Sequence, residues 1–242
     1  MTNSLILVPG VLCDGTVWTH QATALRTLAE VHVAELAHRD SLGAMADALI
    51  ATAPARFAIA GHSMGGRVAL EVVRRVPERI QGLALLSTGF EPLPPGERGE
   101  REAQGRLRMV SRARELGMHA LGIAWLQGMV LPARLSERAL VEKILTMIER
   151  RTPEIYESQT RAMLTRPDAS DVLTSIKCQT LVLCGRQDTW SPLERHRRMA
   201  TLIAGSRLAI IEECGHMSTL ECPDAVTHEL QTWLVEVLEH DH

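Results

Sequence analysis

Short apolar runs alternate with amphipathic stretches along most of the chain. Leu5-Ile6-Leu7-Val8 is apolar without a break and stops at Pro9-Gly10. Half of that run is β-branched, which fits a strand buried on both faces. A helical pattern follows over 17–29, a short run over 31–36 predicts a second strand, and 44–53 predicts a helix. Phe57-Ala58-Ile59-Ala60 predicts another buried strand, leading straight into Gly61-His62-Ser63-Met64-Gly65-Gly66. Residues 68–76 continue as a helix that ends at Pro77, whose ring cannot extend it. Residues 83–86 predict the next strand. Strands alternating with helices imply a mostly parallel, doubly wound sheet of the α/β class.

The rhythm breaks at about Glu91. Pro92, Pro94, Pro95 and Gly96 punctuate the chain, and a helix-rich segment runs to about Ser170. Helices are predicted over 101–116, 119–129 and 137–150. Arginines (Arg98, Arg101, Arg106, Arg108, Arg112, Arg114) and methionines (Met109, Met118, Met129, Met147, Met163) set this segment apart. It reads as an insertion. Residues 1–90 and 171–242 then form the core domain, and 91–170 form a helical lid. Afterwards the strand-helix rhythm resumes. A strand over 180–183 ends in Cys184-Gly185-Arg186-Gln187-Asp188, a helix covers 193–203, and a strand over 208–211 precedes Cys214-Gly215-His216. An amphipathic helix over 226–238 closes the chain.

Composition narrows the classes of function. With 242 residues, 45% of them hydrophobic, the chain can bury one large core. Aromatics are only 3%, which argues against a base-stacking surface for single-stranded nucleic acid. A formal net charge of -3 argues against a nucleic-acid footprint or an anionic membrane surface. The five cysteines include no Cys-x-x-Cys, so reduced thiols are expected in place of a disulfide framework or zinc site. The N-terminus lacks the basic region of a signal peptide, and no stretch approaches a membrane span. A cytoplasmic monomer or homodimer is the expectation. His240 and His242 read as a frayed tail and not as a metal site.

Gly61-x-Ser63-x-Gly65 gains weight from its place between strand and helix. A sharp turn there lifts a serine hydroxyl above the sheet, and small neighbours let strand and helix pack. A chance glycine turn is the plain alternative. The hydroxyl needs a base, expected after the last strand, where His216 stands. Most other histidines read as solvent or core residues, and His62 as a packing residue of the turn. The imidazole in turn needs an acid to hold it. Asp188 lies at the carboxyl edge of a strand, where α/β sites assemble. It could instead cap the helix near Pro192. Asp168, Asp171 and Glu212 rank below it by position. For the oxyanion, the expected donors are the backbone N–H groups of Met64 and of Val11, the latter in the loop after the first strand. Leu12 and Trp190 are candidate substrate-pocket residues. For most lid methionines ordinary packing is the reading, and for the lid arginines a solvated face.

Pro9-Gly10 with Trp18 beyond it, Gly61-His62-Ser63-Met64-Gly65-Gly66, Cys184 to Asp188 and Gly215-His216 together resemble the α/β-hydrolase superfamily over nearly the whole chain. The resemblance is to its small lid-bearing branch of carboxylesterases, pimeloyl-ester hydrolases, enol-lactonases and carbon–carbon hydrolases. Many relatives have His-Gly where this chain has Pro9-Gly10. The resemblance implies an α/β-hydrolase fold and hydrolysis of a small-molecule carboxylic ester or thioester without metal or organic cofactor. The same three residues would serve a carbon–carbon hydrolase or enol-lactonase, and a non-catalytic ligand receptor could retain them. The density of arginines in the lid keeps an acidic substrate or an acyl-carrier partner open.

Overall fold

A computed structural model describes residues 3–36 and 38–240. His242 of the expected tail lies outside the described residues. His240 ends the last helix, its Nδ1 2.8 Å from the Glu236 carbonyl.

Six parallel strands form one sheet in the order β2-β1-β3-β4-β5-β6. They are β1 (Ser4–Val8), β2 (Glu30–Val33), β3 (Phe57–His62), β4 (Ile80–Leu86), β5 (Gln179–Gly185) and β6 (Arg207–Ile211). β1 and β3 are buried at every position, as continuous apolar runs require when helices cover both faces. They pair in register from Leu5 with Ala58 to Val8 with Gly61. β2 sits at the edge and is mostly exposed. It is shorter than the predicted 31–36, because an edge strand has only one neighbour to hold it.

The helices around the sheet are α1 (Thr19–Leu25), α2 (Leu42–Thr52), α3 (Met64–Arg75), α8 (Leu193–Leu202), α9 (Ser218–Glu221) and α10 (Pro223–His240), and four more lie between β4 and β5. The predicted helix over 17–29 is a 3₁₀ turn, Gly15–Trp18, followed by the short α1. It closes early because the Leu28 and Ala29 N–H groups both fold back onto the Leu25 carbonyl. α2 starts after Ser41, whose hydroxyl accepts from the Ala44 N–H at 3.2 Å.

Between β4 and β5 the chain leaves the sheet and builds α4 (Glu97–Met129), α5 (Arg138–Glu149), α6 (Pro153–Leu164) and α7 (Ser170–Ser175). α4 is two helical pieces joined at Gly117, where φ is 83° and ψ 170°. That left-handed backbone suits glycine, and it falls between the two predicted helices. α6 lies in a stretch with no specific helix prediction. α4 packs on α5 and α6, while α7 packs on α3 and α8 of the sheet domain. No helix among the described residues is long and apolar enough to cross a membrane.

The strand order reverses between β1 and β3. In an open parallel sheet the crevice forms at the carboxyl ends beside such a reversal. The turns after β1, β3, β5 and β6 all open toward it.

Candidate active site

Ser63 follows β3 directly and sits at φ 56°, ψ -117°, outside the comfortable range for a side-chain-bearing residue. Strain of this kind costs on the order of 1–3 kcal/mol and needs surrounding support. Support is present. The Ser63 N–H donates to the Leu86 carbonyl at 2.9 Å, and the Thr88 hydroxyl donates to the Ser63 carbonyl at 2.6 Å. Gly65 is forced by close approach, since a Cβ there would lie 2.1 Å from the Val8 carbonyl oxygen. A Cβ at Gly61 would lie 2.3 Å from the Gly65 carbonyl oxygen. α3 therefore starts at Met64, four residues before the apolar pattern predicts, because packing outweighs the poor helix propensity of two glycines.

Ser63, His216 and Asp188 come together. The Ser63 Oγ is 2.9 Å from His216 Nε2, and His216 Nδ1 is 2.8 Å from Asp188 Oδ2. Both His216 and Asp188 are buried. Burial raises the Asp188 carboxyl, but His216 and the Ser191 N–H outweigh it and the net shift is downward. Asp188 is thus ionised and must accept, so the His216 hydrogen sits on Nδ1 and the Nε2 lone pair faces the serine hydroxyl. Asp188 does not cap the helix near Pro192, since α8 begins at Leu193 with no side-chain cap. Oδ2 meets the imidazole while Oδ1 accepts from the Trp190 and Ser191 N–H groups at 2.9 and 2.7 Å. The rival acids are engaged elsewhere: Asp168 with Ser170, Asp171 with Arg74, and Glu212 with Arg186.

Neither the Val11 nor the Met64 N–H has an acceptor among the described residues. Met64 is the first residue of α3, where an N–H lacks an intrahelical partner. Leu12 departs from expectation. It is fully buried and outside the cavity, with φ 63°, and its N–H donates to Gln159 Oε1 at 2.8 Å. The left-handed turn sends its side chain into the core. Trp190 lines the cavity, with the Arg106 guanidinium 5.3 Å from its ring centroid.

Above Ser63 lies a mostly apolar cavity of about 410 Å³, walled by Val11, Met109, Trp125, Met129, Tyr156 and Trp190 among others. A larger recess of about 670 Å³ opens at the opposite, amino-terminal ends of β4 and β5, around Gln81 and Gln179. The crevice at the carboxyl ends is the one that meets Ser63 and His216.

Three positioning groups escape sequence reasoning. His62 Nε2 donates to the His216 carbonyl at 2.8 Å, and burial with the nearby His216 pushes its ring down to about 4, so it stays neutral. Glu221 accepts from the Leu131, Gly215 and Met217 N–H groups at 2.9, 3.1 and 2.9 Å. The His216 and Met217 N–H groups both donate to the Met129 carbonyl, at 3.0 and 3.1 Å. The loop carrying His216 is thereby tied to the end of α4. In the sequence His62 reads only as a packing residue of the turn, and Glu221, five residues after His216, gives no signal because its partners are all backbone.

Residues 5–229 match the model of the alpha/beta hydrolase family. The chain belongs to that family. Among curated proteins it is 27% identical over 181 residues to the 2-hydroxy-6-oxononadienedioate/2-hydroxy-6-oxononatrienedioate hydrolase of Escherichia coli (strain K12). That match covers 71% of this chain and 59% of the relative, so the chain spans less than two thirds of that protein. Among solved structures, a thermophilic esterase from Thermogutta terrifontis superposes with TM-score 0.85 at 28% identity, over 97% of this chain and 90% of that one. An enol-lactonase from Burkholderia xenovorans LB400 superposes with TM-score 0.84 at 23% identity, over 97% and 92%. The second likeness is one of fold.

Proposed function

We propose that the protein is a carboxylesterase-like serine hydrolase, cleaving a small-molecule carboxylic ester or thioester through an acyl-enzyme. The observation that carries this reading is the unbroken relay from Ser63 Oγ through His216 to an ionised Asp188, opening into an apolar cavity. The esterase likeness at 28% identity supports it.

In this reading Ser63 Oγ attacks the carbonyl carbon while its proton passes to His216 Nε2. Asp188 stabilises the imidazolium through Nδ1–H without taking the proton. The Val11 and Met64 N–H groups receive the oxyanion, each worth roughly 10² to 10³ in rate. His216 then protonates the leaving alcohol or thiol. Water, deprotonated by the same nitrogen, releases the acid and restores Ser63. Residues 91–170 act as the lid, and its Met109, Met129 and Met163 contribute soft, adaptable wall to the cavity.

A second reading keeps the relay and changes the bond. The Escherichia coli relatives are named for hydrolysis of an oxo-dioate, which supports a carbon–carbon alternative. A panel of p-nitrophenyl esters against 2-hydroxy-6-oxo acids separates them. Ester turnover that dominates and disappears in Ser63→Ala upholds the first reading. Turnover of the oxo acids alone would replace it with the second.

A further inference from the structure

A second compartment of about 220 Å³ shares Ser63, His216 and Trp190 with the apolar cavity. Its walls are cationic: Arg67, Arg98, Arg106, Arg166 and Arg195 line it against one carboxylate, Glu102. They come from α3, α4, the turn after α6, and α8. Two carboxylates near these arginines are already shared. Glu102 holds Arg106 at 2.9 Å and grips Arg166 at 2.8 and 2.9 Å. Glu91 holds Arg195 at 3.2 Å and Arg198 at 3.0 Å. Arg67 and Arg98 have no ion pair among the described residues.

Arg67 is the telling member. It is only 8% exposed, and Nη1 donates to the Glu91 carbonyl at 2.9 Å. Its Nη2 would lie 2.8 Å from a Cβ at Gly89, so a glycine there leaves it room. A buried cation without a counterion is costly. Burial, then repulsion from Arg166 and Arg195, pushes this guanidinium down to about 9, and Glu91 only partly offsets them. Arg67 still carries its charge at neutral pH. It stands in the first turn of α3, four residues after Ser63, and both residues line the compartment. The positive amino end of α3 adds to the field.

We propose that the substrate carries a carboxylate, bound in this arginine-lined compartment beside Arg67 while its scissile carbonyl lies over Ser63. The inference rests on the hydrolase reading and names its substrate class. A carboxylate matches the planar guanidinium fork and brings one negative charge. Glu102 in the same wall would repel a dianionic phosphate monoester more strongly. The apolar cavity holds the rest of the molecule.

The test uses Ser63→Ala, which binds esters without cleaving them. Calorimetry at low ionic strength compares monomethyl glutarate with dimethyl glutarate, and 4-acetoxybutyrate with its methyl ester. The first pair places the carboxylate on the acyl side, the second on the alcohol side. At least one acid should bind more tightly than its neutral partner by about tenfold, the scale of a charge-assisted hydrogen bond. Arg67→Gln in the same background should remove most of that preference. Arg98→Gln, at an exposed position, should reduce it by about threefold with the fold undisturbed. Equal affinities in both pairs, no binding of either acid, or a preference untouched by both substitutions would overturn the proposal. Binding is read without turnover, so its failure is distinct from a failure of wild-type ester hydrolysis.

Discussion

At the scale of single residues, the site rests on which nitrogen holds a proton and which side chains stay neutral. Asp188→Asn keeps the turn that accepts from Trp190 and Ser191 through Oδ1 but removes the charge facing His216. In that variant kcat on a p-nitrophenyl ester should fall by roughly 10³ to 10⁴ with little change in KM. His196 gives a prediction about stability. Its Nε2 accepts from the Thr88 N–H at 3.0 Å and its Nδ1 faces the Pro192 carbonyl at 3.2 Å, so the neutral ring satisfies both groups. Burial, chiefly, pushes it down to about 4, against an ordinary 6.5. Between those values the unfolded chain binds the proton and the folded chain does not. Stability is therefore full above about 6.5 and falls as pH drops toward about 4, by on the order of 3 kcal/mol for this group. Melting temperature followed from pH 7 to pH 4 should drop for the wild type. His196→Gln, which can also donate and accept, should flatten that slope; an unchanged slope would remove His196 as a cause.

At the scale of elements, tight contacts and backbone ties hold the chemistry in place. Gly65→Ala sets a Cβ 2.1 Å from the Val8 carbonyl oxygen, a backbone atom that cannot move aside cheaply. Loss of on the order of 2–4 kcal/mol of stability is expected, read by chemical denaturation, with Ser63 displaced from His216. Glu221→Gln keeps the volume but leaves one acceptor oxygen for three N–H groups. Each buried N–H left without a partner costs about 1–3 kcal/mol. The His216 loop should loosen, with kcat reduced tenfold or more, roughly, and KM less affected. These elements were unequally legible in the sequence. β1, β3, β4 and β5 are inner strands, so their apolar runs stand out. β2 lies at the sheet edge and its bounds slipped. α6, with Glu-Ser-Gln-Thr-Arg at its centre, has too mixed a pattern to announce itself.

At the scale of the whole molecule, the sheet reversal between β1 and β3 gathers residues from distant parts of the chain at one edge. Ser63, Asp188 and His216 could be picked out in the sequence because Ser63 follows β3 directly while Asp188 and His216 sit in the short turns after β5 and β6, so strand and motif together point to each. The arginine compartment could not, because its cations come from four segments that meet only in three dimensions. Arg67 shows the difference well. In sequence it is one unremarked cation just before the predicted helix over 68–76, whereas in the fold it is buried and lines the same compartment as Ser63. Leu12 shows the converse, a loop residue adjacent in sequence to the crevice and turned away by one left-handed backbone angle. The central claim is that Ser63 is the nucleophile, and covalent labelling tests it most directly. A fluorophosphonate probe added to the folded wild type should modify one site, mapped by peptide mass spectrometry to Ser63, and should leave Ser63→Ala unmodified. Folded wild type that remains unlabelled, or label carried on another residue, would contradict the account.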